Sequence, residues 1–330
     1  LPHARRIPPA YHFNLDFDMN EFFHISILFG PCLDALNIRP DGVYIDATLG
    51  GAGHSYHIAS RLSDAGTLLC IDRDDEALQN AETRLAPVRQ RVRLCKSDFR
   101  KLDEVLAREG FDKADGILFD LGVSSPQLDH GERGFSYMQD APLDMRMDRQ
   151  QALTAYDVVN TWSREDIRRI LFEYGEERYA PLIAAAIERR RAEKPIETTL
   201  ELVDIIKSAM PAKAKREKQH PAKRSFQAIR IAVNDELGAV AEAMDKAIDV
   251  LAPGGRLAVI TFHSLEDRIV KTAFQKAAQG CICPKDFPVC VCGRKPRVKI
   301  ITRKPIVPDS GELAENARAR SAKLRVCEKI

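Results

Sequence analysis

The sequence predicts an α/β protein built on a doubly wound, mostly parallel sheet with a helical domain inserted into it. Three observations carry that expectation. Short apolar runs ending in Gly or Asp alternate with helical patterns as far as Asp120; the rhythm then breaks; and a convincing strand, Arg256–Ile260, returns only after the Pro253-Gly254-Gly255 turn. An α/β core interrupted by an insert accounts for all three.

The strands come in order. Val43-Tyr44-Ile45, Thr67–Ile71, Val92–Cys95 and Gly116–Phe119 are β-branched and aliphatic runs of strand length, each followed by a turn and a helical stretch. Ile229, Ala232, Val233, Leu237, Val240, Met244, Ile248 and Leu251 recur at spacings of three and four, which predicts one helix feeding the Arg256 strand. Between about 129 and 222 no strand alternation is visible, but Ser163 with Asp166 three residues on reads as a helix start before Ile167, Ile170, Leu171 and Tyr174. The partition expected is a sheet domain of 19–128 plus 223–330, an inserted helical domain of 129–222 for substrate recognition, and residues 1–18 as an upstream extension.

Composition narrows the function. The chain has 330 residues, 45% of them hydrophobic, and 50 basic against 48 acidic side chains. Total charge therefore does not announce a nucleic-acid binder, and any basic surface is local. Basic residues do cluster, at Arg189–Arg191, Lys213–Arg224, Arg294–Lys304 and Arg318–Arg325; converging, they would form a phosphate-binding rim, and singly each reads as a solvated face. No apolar run is long enough to span a bilayer and the start lacks a basic-then-apolar leader, so a cytoplasmic protein without a membrane partner is expected.

The first strand runs into Asp46-Ala47-Thr48-Leu49-Gly50-Gly51-Ala52-Gly53-His54, a glycine-rich turn at the carboxyl edge of the sheet, where small residues let a ligand touch the backbone. Asp72 ends the next strand at the distance in sequence where a carboxylate binds ribose hydroxyls. A tight turn with no ligand would look similar, and a dinucleotide site is the sharper rival. Against the latter, Tyr56 stands where a third glycine belongs, and Asp46 would repel a pyrophosphate. S-adenosylmethionine, with an amino group and a sulfonium, suits acidic neighbours.

The fourth strand ends in Asp120-Leu121-Gly122-Val123-Ser124-Ser125-Pro126-Gln127. An exocyclic amine is a poor nucleophile because its lone pair is delocalised into the ring, and acceptors that bind its hydrogens localise that pair. Asp120, the hydroxyl of Ser124 or Ser125, or the carbonyl before Pro126 are the candidate catalytic groups, acting by positioning; an ordinary proline turn is the bland alternative. Phe135 and Tyr137, in the stretch that follows, are candidate walls for an unstacked base, while Met145 and Met147 read as packing at a domain junction. His263, at the end of the fifth strand, is either a base or RNA contact or part of a helix N-cap turn in which Ser264 pairs with Asp267.

Taken together these residues resemble the bacterial 16S ribosomal RNA cytosine-N4 methyltransferases of the RsmH (MraW) type, over nearly the whole chain from Met19. The resemblance rests on Asp46–His54, Asp120–Gln127, Glu132–Ser136, Pro142–Met147, Tyr174–Arg178, Phe226–Arg230, Thr261–Arg268 and Ala317–Ser321. It implies a class I (Rossmann-like) methyltransferase fold, methylation at N4 of one cytidine in the decoding region of 16S rRNA, probed within the small ribosomal subunit, and cofactor contacts from Ala52, Gly53, His54, Asp72, Phe99, Asp120 and Gln127. A ribosome-assembly factor of the same fold, binding RNA and cofactor without essential turnover, is the alternative. A DNA amino-methyltransferase would carry an aromatic residue after proline where this chain has Gln127.

Of eight cysteines, Cys281-x-Cys283 and Cys290-x-Cys292 form a tight group in a loop containing Pro and Gly. That spacing could place four thiolates around one structural zinc; reduced thiols in a surface loop are the alternative.

Overall fold

The computed structural model describes residues 26–213, 217, 219–284, 289 and 291–330; the proposed extension 1–18 and Cys290 lie outside the described residues. Seven strands form one sheet in the order β3-β2-β1-β4-β5-β7-β6, with β1 Val43–Asp46, β2 Thr67–Asp72, β3 Val92–Lys96, β4 Ala114–Asp120, β5 Leu251–Thr261, β6 Val298–Ile300 and β7 Lys323–Lys329. Strands β1 to β5 pair in parallel, and β7 runs antiparallel to both β5 and β6. This is the doubly wound, mostly parallel sheet of class I methyltransferases. The antiparallel β6–β7 edge had no sequence signal: β6 is three residues long, and Lys323, Arg325 and Lys329 interrupt the apolar run of β7.

Alternation within the strands builds a core on each face of the sheet. Ile45, Leu69, Ile71, Ile117 and Phe119 point to one side, against α4 Leu102–Arg108 and α11 Glu236–Val250. Tyr44, Leu68, Cys70 and Leu118 point to the other, against α1 Phe29–Leu36 and α2 Gly53–Ala59. All these strand side chains are no more than 1% exposed, the condition for continuous apolar runs in a sheet covered on both faces.

A third core takes in no strand and is built mainly from helices. It draws on α6 Ala155–Thr161, α7 Arg164–Glu173, α8 Ala180–Glu193, α9 Thr199–Ala209 and α10 Lys223–Asn234. Ser163 does cap α7, accepting from the Asp166 N–H, and Thr154 and Thr198 form capping boxes with Asp157 and Glu201. Met145 and Met147 are packed here, as their composition suggested.

The long periodic stretch after Ile229 is two helices and not one. Asp235, at φ 45°, breaks it between α10 and α11. Apolar spacing continues across the break because both helices are buried, so periodicity alone hides it. Phe226, Ile229 and Val233 of α10 belong to the helical core, whereas Val240, Met244 and Ile248 of α11 belong to the sheet. The Pro253–Gly255 turn is likewise absorbed into β5, with a register shift opposite Ala114 and Gly116.

Candidate active site

A cavity of about 770 Å³ opens at the carboxyl ends of β1, β2 and β4, where the strand order reverses. The glycine-rich turn forms one wall. Gly50 adopts φ +47°, and its N–H donates to Asp72 Oδ2 at 2.9 Å; Ala52 takes φ 58° and starts α2. Gly53 packs against the Ser26 side chain, and a Cβ there would force the Ser26 hydroxyl to turn away.

The acidic residues divide the work. Asp46 does not face the cavity: 1% exposed, it accepts from Ser55 Oγ at 2.6 Å and from the Thr48 N–H at 3.2 Å, so its carboxylate shapes the turn and leaves the ligand to others. Burial raises its pKa to about 6. Asp72 lines the cavity and holds the Gly50 and Asp74 N–H groups, one on each oxygen, leaving a second lone pair on each for hydroxyls. Asp98 lines it too, capping the turn at Phe99 by accepting from the Arg100 N–H at 2.8 Å. Sequence reasoning missed Asp98, although it repeats the strand-then-Asp pattern of Asp46, Asp72 and Asp120. Phe99 presents an apolar wall, braced edge-on by Phe119 with centroids 5.5 Å apart.

Asp120 is the central group. Its N–H donates to Thr48 Oγ1 at 2.6 Å, tying the end of β4 to the glycine turn. Its Oδ2 lies 3.6 Å from His54 Nδ1, and Oδ1 is buried with no hydrogen-bond partner. Burial, and then the nearby charges of Asp46 and Glu266, push its pKa up to about 8. His54 is shifted the other way, to about 4, chiefly by burial, so the imidazole is neutral and the contact is not an ion pair at neutral pH. His54 Nε2 is also without a partner. A partnerless carboxyl beside acidic groups is costly to leave buried, and a cation in the cavity relieves it; these residues fit a ligand carrying a sulfonium and an ammonium.

The loop after β4 has a mixed fate. Ser124 caps α5 Ser125–Asp129, its hydroxyl accepting from the Gln127 N–H while Gln127 Oε1 accepts from the Ser124 N–H. Gln127 Nε2 donates to Asp74 Oδ2 at 2.8 Å, so both ends of that amide are engaged within the protein. Ser124, Pro126 and Gln127 nonetheless line the cavity, together with Gly53, His54, Asp72, Phe99 and Asp120. Ala52 is not brought to its surface, and the Ser125 side chain lies outside the described residues.

On the far side, Tyr137, Lys223, Gln227 and Arg230 from the helical region close the cavity. Tyr137 stacks on His220, with centroids 4.7 Å apart and planes 13° off parallel, and meets Phe226 edge-on. Phe135, the other expected wall, is 6% exposed inside the helical core under the Arg133 guanidinium and faces no cavity. His263 lines the cavity but is also the N-cap of α12 Ser264–Ala278, in a box with Glu266 and not the Ser264–Asp267 pair expected one residue later. Asp267 instead holds Arg325 at 2.6 Å. Arg325 is thereby buried, and Arg297 is bound to Asp245 and Asp249, so those parts of the basic clusters are structural. Among the described residues of those clusters, Lys223 and Arg318 reach the cavity.

A parallel sheet with an antiparallel last strand, a glycine turn after β1, acidic residues closing β2 and β4 and a partnerless acceptor between them define an S-adenosylmethionine-dependent methyltransferase. The model of the MraW methylase family matches residues 21–330, and the chain belongs to that family. Ribosomal RNA small subunit methyltransferase H of Brevibacillus brevis is 58% identical over 309 residues, 94% of this chain and 98% of that protein. The proteins of the same name from a Paenibacillus species and from Clostridioides difficile are 56% and 54% identical, each covering 94% of this chain and 100% of its own length.

Proposed function

We propose that this chain methylates the N4 exocyclic amine of a cytidine in the decoding region of 16S rRNA, in the cytoplasm, with the small ribosomal subunit as its partner. The relatives named for small-subunit rRNA support the substrate class. The observation that carries the chemistry is Asp120, which lines the cavity at the end of β4 with Oδ1 left without a hydrogen-bond partner.

S-adenosylmethionine supplies an electrophilic methyl group on a positively charged sulfur. In this reading Asp72 accepts the ribose hydroxyls, Phe99 and Asp98 border the adenine, and the Gly50–Gly53 turn lies against the methionine portion. Asp120, ionised once a cation is beside it, accepts a hydrogen of the target amine, directing the nitrogen lone pair at the methyl carbon. The bound cofactor would supply the methyl group, its sulfur keeping the electrons of the broken carbon–sulfur bond, and the proton given up by the newly methylated nitrogen would pass to Asp120 or to water. Ser124 and Pro126 hold the loop backbone that frames the amine; Ser125 shares that loop.

Residues 129–222 together with α10 form the substrate-recognition domain in this reading, since α10 packs into the helical core. A zinc held by this cysteine group would be structural, because the described members Cys281, Cys283 and Cys292 do not line the cavity, and it enters no step of the transfer.

Incubation with labelled S-adenosylmethionine and small subunits from cells lacking the modification, followed by nucleoside analysis, tests the reaction. Label in N4-methylcytidine that Asp120→Ala abolishes is the expected result. Tight binding of cofactor and subunit with no label in any nucleoside would favour the assembly-factor reading.

A further inference from the structure

The loop between α12 and β6 has no apolar core of its own. Its ends are pinned, the Arg297 N–H donating to the Ala277 carbonyl at 2.8 Å, yet Ile282, Val289 and Val291 are 50%, 70% and 74% exposed. None of the described residues of this connection is helix or strand, and so long a connection is uncommon in a compact domain unless something else orders it.

Three of its thiols converge. The sulfurs of Cys281, Cys283 and Cys292 all lie within 4.8 Å of one another, and those of Cys281 and Cys292 are 3.7 Å apart. That is far beyond a disulfide bond, whose sulfurs stand about 2.05 Å apart. It matches the edge of a tetrahedral zinc site, where zinc–sulfur bonds of about 2.3 Å set the sulfurs about 3.8 Å apart. Independently, the Cys283 N–H points at Cys281 Sγ from 3.4 Å, the kind of amide contact that favours a thiolate over a thiol.

We propose that Cys281, Cys283 and Cys292 bind a thiolate-preferring divalent metal, zinc in the cell, as the cross-link that takes the place of a core in this loop. The three thiolates occupy three corners of a tetrahedron and a further ligand completes it. Each thiol loses its proton on binding, so the metal is held more weakly as pH falls. The metal fixes the segment carrying the exposed Arg294 and Lys295 and takes no part at the cavity.

Full-length protein reconstituted with zinc under reducing conditions and desalted should retain one equivalent per chain. Cobalt substitution should give a thiolate-to-cobalt charge-transfer band. The Cys281→Ser/Cys292→Ser variant should lose both signals while keeping its circular dichroism and its affinity for S-adenosylmethionine. Retention of no metal by the wild-type chain, equal retention by the variant, or a Cys281–Cys292 disulfide in non-reduced digests of protein from the cytoplasm would each overturn the proposal. Cofactor affinity and methyl transfer are read separately, so failure here leaves the catalytic reading untouched.

Discussion

Arg133 donates from Nη2 to Asp74 Oδ2 at 2.9 Å, with the arginine 2% and the aspartate 5% exposed at their side chains. Glu76 takes Nη1 at 2.8 Å, and the carbonyls of Arg146 and Met147 also accept from Nη2. The same Asp74 oxygen accepts from Gln127, so one carboxylate ties the turn after β2, the loop after β4 and the first segment of the insert together. Removing one partner of a buried pair leaves the other uncompensated, at about 3–5 kcal/mol. Arg133→Ala is therefore expected to lower unfolding stability by about 3 kcal/mol, and Arg133→Lys to recover little, because one ammonium cannot reproduce the fork. Urea denaturation measures this; a loss under about 1 kcal/mol would mean the network is not tied through Arg133.

Gly134 follows at φ +71°, and a Cβ there would sit 2.4 Å from the Pro142 carbonyl oxygen. Backbone, and not a movable side chain, occupies that space. Gly134→Ala should cost at least about 2 kcal/mol through the clash and the left-handed strain together, with methyl transfer falling in step because Tyr137 is three residues on. Matching losses in Arg133→Ala and Gly134→Ala would show the two acting on one element.

Asp120 gives a pH signature with a definite sign. Its folded pKa of about 8 stands above the value of 3.8 expected when unfolded, so across that window the folded chain keeps a proton the unfolded chain has released. The Asp120 contribution to stability without ligand then falls as pH rises from about 4 to about 8, with Asp46 adding to it only up to about 6 and His54, lowered to about 4 from 6.5, opposing it between those two values. Asp120→Asn should flatten the part of the slope between 6 and 8. Binding of a cation favours the ionised carboxyl, so below pH 8 cofactor binding should release a proton and tighten with pH by up to about tenfold per unit. Calorimetry in buffers of different ionisation enthalpy reads the proton directly. The Asp120 side chain is 28% exposed, and solvent screening at that exposure shrinks the effect without reversing its sign.

Much of this was legible in sequence because strand ends and glycine turns are local. Asp72 and Asp120 could be placed from a strand pattern and a spacing, and the Gly50–Gly53 turn from its glycines after a strand, whereas His54, Phe99 and Gln127 came only with the family resemblance. What the sequence hid depends on direction or on distant partners. Asp46 looked like a ligand group, but a side chain on the last residue of a strand faces either way, and Ser55 nine residues later decided it. Phe135 and Tyr137 are two residues apart and indistinguishable by type; packing under Arg133 buried one and left the other at the cavity. The break at Asp235 left no mark because apolar spacing runs through it.

Tyr137 is the side chain best placed to receive an unstacked base. His220 covers one face of its ring and Phe226 packs against it at a steep angle, so the ring is braced from two sides while the residue lines the cavity. Stacking of a base on such a ring contributes about 1–3 kcal/mol, and lost stacking of that size lowers kcat/KM for RNA by about 5- to 150-fold. Tyr137→Ala should show that loss with cofactor affinity unchanged, and Tyr137→Phe should keep most of the activity because the face and not the hydroxyl does the holding. His220→Ala should give a smaller loss of the same kind, since it removes the brace but leaves the ring. If Tyr137→Ala instead weakened cofactor binding and left RNA kinetics alone, the base would have to enter by the His263 side of the cavity.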